Sequence, residues 1–390
     1  MSEAPRAGPA QHSGNGAIIS IARQSESWEV IFASEPRTSP QPLWFHIEVS
    51  GLQGAPVVFG WENADLALGN RSELHLLRPV LRADGGSWQR SESVEVVSLP
   101  DGRRQVRFEH PGGAETVAVA FCYPYGPPEL EAALTDVGDA WSASPIGITA
   151  EGRKLMRLRL EADEEADEEA PRPGLYLLAR QHAGETPGSW VLDGILRLLA
   201  GDSDEARAIR QDVECWAVPF VDLDGVVNGD YGKDALPWDF NRAWEPLPMR
   251  PEVQAIQRDL LRFAERAEPR LLLDLHAPGH STADVYAQLP REQRPEEQQE
   301  AARGIAAELA AAFPELEPEA TARATTYASR WNAMATAGSW AWDHLDQTPA
   351  ITVETSYQRL AGETLTPEGY REIGRRVARA AASWLRKAAG

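Results

Sequence analysis

GLYLLARQHAGETPGSWVLDGILRLLAG, residues Gly174–Gly201, is the stretch from which the rest of the chain can be read. Leu175–Ala179 is a short apolar run that opens at a glycine, the pattern of a buried strand. After Pro187 the apolar positions Trp190, Leu192, Ile195, Leu196 and Leu199 recur at helical spacing. His182 and Glu185 therefore fall in a strand-to-helix turn, where a rigid scaffold lets loop side chains converge on one point. A neutral imidazole and a carboxylate so placed are two of the three protein ligands that a catalytic zinc takes. A His-x-x-Glu pair standing alone is more often an exposed polar pair, so its meaning depends on the residues farther along the chain.

RLLLDLHAPGH, Arg270–His280, supplies a third ligand. Arg270–Leu275 reads as a buried strand, because after Arg270 the residues Leu271, Leu272, Leu273 and Leu275 leave only Asp274 polar, and His276 stands at its end. Open α/β sheets place ligands and catalytic groups at that edge. A lone histidine there is more often a hydrogen-bonded residue of the core edge, and His280 reads as a loop histidine. PAITVETSYQ, Pro349–Gln358, carries Glu354 at the end of another apolar strand, where it can serve as the base that a water nucleophile needs. Any single glutamate so placed more commonly faces water. PWDFNRAW, Pro237–Trp244, contains Asn241 and Arg242, an amide and a planar guanidinium fork suited to gripping a carboxylate.

In that order these segments resemble the zinc metallocarboxypeptidases of the carboxypeptidase A type, nearest to their cytosolic carboxypeptidase-like branch. ARQHAGETPGSW is similar to the branch's His-Pro-Gly-Glu-Thr signature, with Ala183 in the proline position. FCYPYGPPEL, Phe121–Leu130, resembles the aromatic segment that joins its N-terminal β-domain to its catalytic domain. VPFVDLDGVVNGDYG, Val218–Gly232, resembles its Asn-Pro-Asp-Gly-Val stretch, with Asp222 and Leu223 in place of Asn and Pro. The resemblance implies one zinc per chain on His182, Glu185 and His276, Glu354 as general base, and Asn241 with Arg242 as the grip on a substrate carboxylate. It also implies an arginine just after the Gly-Asn-Tyr-like segment to stabilise the oxyanion. The run here is Gly229-Asp230-Tyr231-Gly232-Lys233, with no arginine. Losing one oxyanion donor costs about 2.7–4 kcal/mol of transition-state stabilisation, so another cation is expected there: Lys233 first, Arg330 second. Tyr327 is the candidate for the family's mobile tyrosine.

The 390 residues suffice for two domains with buried cores, and 43% hydrophobic with 25% charged residues describe an ordinary globular chain. A net charge of −21 argues against nucleic acid as a partner. No apolar run reaches the ~20 residues of a membrane span, and the first residues lack the apolar core of a signal peptide. Cys122 and Cys215 are too few for a disulfide framework and read as buried thiols, so a cytoplasmic location is expected. EADEEADEEA, Glu161–Ala170, holds seven acids and reads as a solvated loop.

The expected organisation is a disordered leader over 1–17, an antiparallel β-sandwich over 18–148, and an α/β zinc carboxypeptidase domain over 149–390. The sandwich is expected from short alternating strands separated by turn residues between Ile18 and Phe121. The second domain alternates strands with amphipathic helices, here Pro251–Glu265, Glu296–Phe313, Asn332–Leu345 and Pro367–Lys387. That alternation implies a mixed central sheet with helices on both faces. Trp238, Trp244 and Trp331 are candidates to line a substrate mouth. The expected activity is removal of a C-terminal amino acid from a peptide or small amide. Two alternatives stay open: a zinc deacylase or amidase of small N-acyl compounds, and a catalytically silent binding module.

Overall fold

The computed structural model describes residues 4–67, 73–161, 171–245, 247–279, 282–324 and 334–390. Tyr327, Arg330, Trp331, His280 and nearly all of the acidic run after Glu161 lie outside the described residues. The chain divides into two compact units. The first takes in the residues up to Gly126 together with Gly225–Leu236, and the second takes in Pro127–Asp224, Pro237–Pro278 and Thr282–Gly390.

The first unit is mostly β. Its strands are β1 Arg6–Pro9, β2 Ala17–Gln24, β3 Ser27–Ala33, β4 His46–Ser50, β5 Val57–Trp61, β6 Val80–Ala83, β7 Gln89–Arg90, β8 Glu95–Ser98, β9 Arg104–His110 and β10 Thr116–Ala120. They form two five-stranded sheets, ordered β1-β4-β10-β6-β7 and β2-β3-β5-β9-β8. Aromatic rings join them: Phe45, beside β4, lies 5.0 Å from Phe32 of β3 and 4.9 Å from Trp61 of β5, centroid to centroid. One pairing departs from the antiparallel expectation, since β3 and β5 run parallel. The chain visits the other sheet as β4 between them and so returns in the same direction, the crossover a parallel pair requires.

Two expectations about boundaries need correction. The described part of the expected disordered leader over 1–17 is ordered, because Arg6–Pro9 pairs with β4 along four residues. The Asn15 side chain exchanges hydrogen bonds with both the N–H and the carbonyl of Glu35. The Trp44 indole donates to the Ser13 carbonyl at 2.8 Å. The segment lacks an apolar pattern and is held by backbone and amide hydrogen bonds, which composition does not reveal. The second boundary falls at Gly126/Pro127 rather than at 148/149. Trp141–Ile148 is a strand of the second unit, paired with Lys154–Leu160, and its Trp141 indole donates to the Leu196 carbonyl.

The second unit is built on one eight-stranded mixed sheet. Its strands are β11 Trp141–Ile148, β12 Lys154–Leu160, β13 Arg172–Ala179, β14 Glu214–Val218, β15 Ala267–His276, β16 Val285–Leu289, β17 Ala322–Ala324 and β18 Ala350–Thr355. The order is β11-β12-β14-β13-β15-β18-β16-β17, and β14, β13, β15 and β18 are mutually parallel. Central parallel strands are covered on both faces, which explains their unbroken apolar runs. On one face Tyr176, Leu178 and Leu272 pack with Val253, Ile256, Leu260, Phe263 and Trp340 from helices Pro251–Ala264 and Ala337–His344. Helices Thr186–Ala200 and Pro367–Ala389 pack on each other and on β13 and β15. Cys122 and Cys215 are both buried thiols outside any disulfide, as expected.

His46 gives the first unit an acid-sensitive point. Its Nδ1 lies 3.0 Å from the His12 carbonyl, so that nitrogen donates. Burial, reinforced by Arg82, pulls its pKa from 6.5 down to about 4. Between those values the unfolded chain binds the proton and the folded chain does not. Stability is therefore present above pH 6.5 and is lost as pH falls toward 4, by about 3 kcal/mol over the window. Denaturant melts of the wild type and of His46→Gln at pH 7 and pH 4.5 check this: the wild type should lose more stability than the variant.

Candidate metal centre

Three parallel strands deliver the site to one edge of the sheet. β13 ends at Ala179, and the turn to helix Thr186–Ala200 carries His182 and Glu185. β15 ends at His276, whose register partner on β18 is Glu354. Carboxyl ends of parallel strands share an edge, so residues far apart in sequence meet there. The helix after Glu185 must come very close to β15. A Cβ on Gly188 would lie 2.6 Å from the Leu275 carbonyl oxygen, a contact only glycine allows.

His182, Glu185 and His276 are each at most 4% exposed, and one donor atom from each lies within 4.8 Å of the others. His182 Nδ1 is 2.9 Å from Glu185 Oε1, and His276 Nδ1 is 2.8 Å from Glu185 Oε2. The Ala277 N–H also donates to Glu185, at 3.1 Å. Both imidazoles thus turn the same nitrogen inward and offer Nε2 to a second carboxylate. His182 Nε2 faces Asp239 at 3.3 Å, and His276 Nε2 faces Asp274 at 2.9 Å. Two inward imidazole nitrogens and a carboxylate, each ring backed by an outer acid, form a donor set that fits a zinc ion.

The surrounding acids also set the protonation of the metal-free site. Burial disfavours a charged His276 ring, but Asp274 and Glu185 outweigh it and hold its pKa well above the ordinary histidine value. His182 is raised in the same way, burial being overcome by Glu185 and Asp239.

The turn itself is clamped by Arg180, which is 2% exposed and has a positive φ of 62°. Its Nε and Nη2 donate to the Ala183 carbonyl, and Nη1 donates to Ser189 Oγ at 3.1 Å. Burial lowers its pKa to about 10, so it stays charged at neutral pH. A bulky residue in the left-handed region is costly and persists where surrounding contacts over-determine it. Nothing in the sequence singled out Arg180. Asp274 had a signal: it is two residues before His276, so a strand puts both on one face.

Of the other expected residues, Asn241 stands beside this cluster, its amide nitrogen 3.3 Å from His276 Nε2. Asn241 is buried, its Oδ1 accepting from the Ala337 N–H at 3.2 Å and its amide reaching Asp274 at 3.4 Å. Arg242 is half-buried and donates to the Asn241 carbonyl. Trp244 does not line a mouth; it is fully buried, with its indole donating to Gln181 Oε1 at 2.8 Å. Trp238 packs on the core as a partly buried residue. Lys233 belongs to the first unit, where its carbonyl accepts from Ser39 Oγ, while the flanking Asp230 and Asp234 carboxylates accept from Thr38 and Gln41.

Comparison with known proteins agrees with this geometry. The family model described as zinc carboxypeptidase matches residues 129–375. Cytosolic carboxypeptidase 3 of Bos taurus is 29% identical over 182 residues, 45% of this chain and 18% of that protein. Cytosolic carboxypeptidase 6 of Homo sapiens is 26% identical over 209 residues, 50% of this chain and 41% of that protein. The chain therefore spans less than half the length of these relatives. A crystal structure of a metallo-carboxypeptidase from Burkholderia cenocepacia superposes with a TM-score of 0.80, covering 98% of this chain and 99% of that one at 21% identity, which shows the shared fold. No helix among the described residues is long and apolar enough to cross a membrane.

Because a proton and a metal compete for each Nδ1, zinc affinity should fall as pH drops through the raised histidine values. The expected slope is about tenfold per pH unit for each proton released. Calorimetric zinc titrations between pH 6 and 9, in buffers of different ionisation enthalpy, check this; an affinity independent of pH would contradict it.

Proposed function

The chain belongs to the zinc carboxypeptidase family, and we propose that it hydrolyses the amide bond next to a free carboxylate, removing a C-terminal amino acid from a peptide. The observation that carries this reading is the buried His182–Glu185–His276 cluster with Glu354 in register beside His276. One zinc per chain would be held by His182, Glu185 and His276. The zinc, when bound, supplies a Lewis acid for the water nucleophile and the scissile carbonyl. Glu354 takes a proton from the attacking water and returns it to the departing nitrogen. Arg242, with Asn241 beside it, grips the substrate carboxylate; the guanidinium fork matches its two oxygens. Tyr327, which lies outside the described residues, is the candidate for the family's tyrosine. A cytoplasmic setting is proposed from the names of the relatives, and the acidic charge disfavours nucleic acid as a partner.

Metal analysis and steady-state kinetics test the reading together. The wild type should hold one zinc per chain, and His182→Ala should lose it, since three ligands leave no redundancy. Glu354→Gln should keep the zinc while turnover falls at least ~10²-fold. Activity on N-acyl amino acids with none on peptides would instead favour the deacylase alternative.

The second cation at the oxyanion is assigned to Lys233, with Arg330 next. The motivation is Gly232 in the position where the family carries arginine. A lysine is a point charge on a flexible stem, so it stabilises charge with looser orientation than a fork. Lys233→Met should lower kcat and kcat/KM together, the signature of an interaction made in the transition state. A variant with wild-type kcat removes Lys233 from the mechanism and moves the test to Arg330.

A further inference from the structure

Behind His276 runs a chain of buried polar groups whose hydrogen-bond directions are fixed by chemistry alone. It starts at Trp244, whose indole N–H is a donor with no acceptor capacity. That N–H lies 2.8 Å from Gln181 Oε1, so the oxygen end of the Gln181 amide must face the indole. The amide nitrogen is thereby turned the other way, where it donates to Asp274 Oδ2 at 2.5 Å. An ionised carboxylate only accepts. The same Oδ2 is 2.9 Å from His276 Nε2, so that ring nitrogen carries the proton. The other nitrogen, Nδ1, faces Glu185 Oε2 at 2.8 Å, where without metal it donates a proton. Because Nε2 keeps its own proton, it is Nδ1 that is freed to offer a lone pair when a metal displaces that proton. Trp244 and Gln181 are fully buried and Asp274 is 2% exposed, so water does not compete for these groups.

We propose that Trp244, Gln181 and Asp274 form a positioning relay that locks His276 in the Nε2–H tautomer and aims its Nδ1 at the metal. None of the three touches the metal or the substrate. They act through His276, and the proposal rests on the zinc reading of the His182–Glu185–His276 cluster. The sequence places Gln181 and Trp244 on separate loops, each near a residue already singled out, His182 and Arg242. The relay explains why a polar Gln181 stands buried at the mouth of an apolar strand. It also explains why the one acid in the leucine run Leu271–Leu275 is on the face of His276.

The rival account is that these groups merely satisfy one another and matter for folding only. Zinc affinity separates the two. Trp244→Phe removes the single N–H and keeps the ring, and Gln181→Met removes the amide at similar size. Zinc dissociation constants are to be measured by competition with a chelator, beside thermal melts of the metal-free proteins. The cobalt-substituted forms are to be compared by visible absorption spectra. Outer partners of metal-bound histidines typically contribute 10–100-fold to metal affinity, so each variant should bind zinc roughly tenfold more weakly. Asp274→Ala should bind more weakly still, and each cobalt spectrum should shift from that of the wild type. The tenfold loss should appear even where the metal-free melt is unchanged. If the wild type binds zinc and both Trp244→Phe and Gln181→Met bind it equally well with an unaltered cobalt spectrum, the relay is overturned and the zinc reading stands. A wild type that binds no zinc overturns the zinc reading itself, and the relay with it. Should Trp244→Phe fail to fold, Gln181→Met carries the same comparison.

Discussion

Glu185 is a carboxylate enclosed by protein, with an imidazole nitrogen within 3 Å of each of its oxygens. Isolated, a buried ionised carboxylate would cost many kcal/mol, because low-dielectric surroundings cannot replace its hydration. Here the cost is offset by two histidines and the Ala277 N–H. Much of the second unit can be understood as the scaffold that makes this convergence possible. β13 and β15 must be adjacent and parallel so that their carboxyl ends meet. The helix after Glu185 must press on β15 at Gly188, with no side chain between them.

A cluster this polar cannot stop at its first layer. Each inward nitrogen leaves an outward Nε2 needing an acceptor, and Asp239 and Asp274 provide them. Those acids need donors in turn. Asp239 caps its own short turn by accepting from the Asn241 N–H, while Asp274 accepts from Gln181. The network ends where a group with a single polar atom, the Trp244 indole, closes it. Polar networks of this kind rigidify a site, since each partner fixes the rotamer of the next, although the second Asp274 oxygen, Oδ1, has no hydrogen-bond partner among the described residues.

Arg180 shows the same logic applied to the backbone. The turn between β13 and the helix holds both His182 and Glu185, and its geometry depends on a carbonyl, that of Ala183, kept in place by a buried guanidinium. The left-handed φ of Arg180 is sustained by those contacts rather than by any local preference. The first unit uses a different device. Its edge strand β1 has almost no apolar side chains to bury, and ladder hydrogen bonds with side-chain amides hold it instead.

What the sequence determined by itself is the part of the protein governed by local period and by residue chemistry. The apolar runs at Leu175–Ala179, Arg270–Leu275 and Ile351–Val353 are strands, and the spacing after Pro187 is a helix, because each pattern has one secondary structure that buries it. His182, Glu185 and His276 were legible as a group because ligand chemistry needs those residue types near strand ends, and Glu354 was legible as a carboxylate at the end of a neighbouring strand. Tertiary structure alone decided the outer layer. Whether Asn241 faces a substrate or Asp274, whether Trp244 lines a mouth or closes a network, and whether the first residues are free or form a strand all depend on neighbours dozens of residues away. Hydrogen-bond partners of buried polar groups are chosen by proximity in space, and no local period in the chain records that choice.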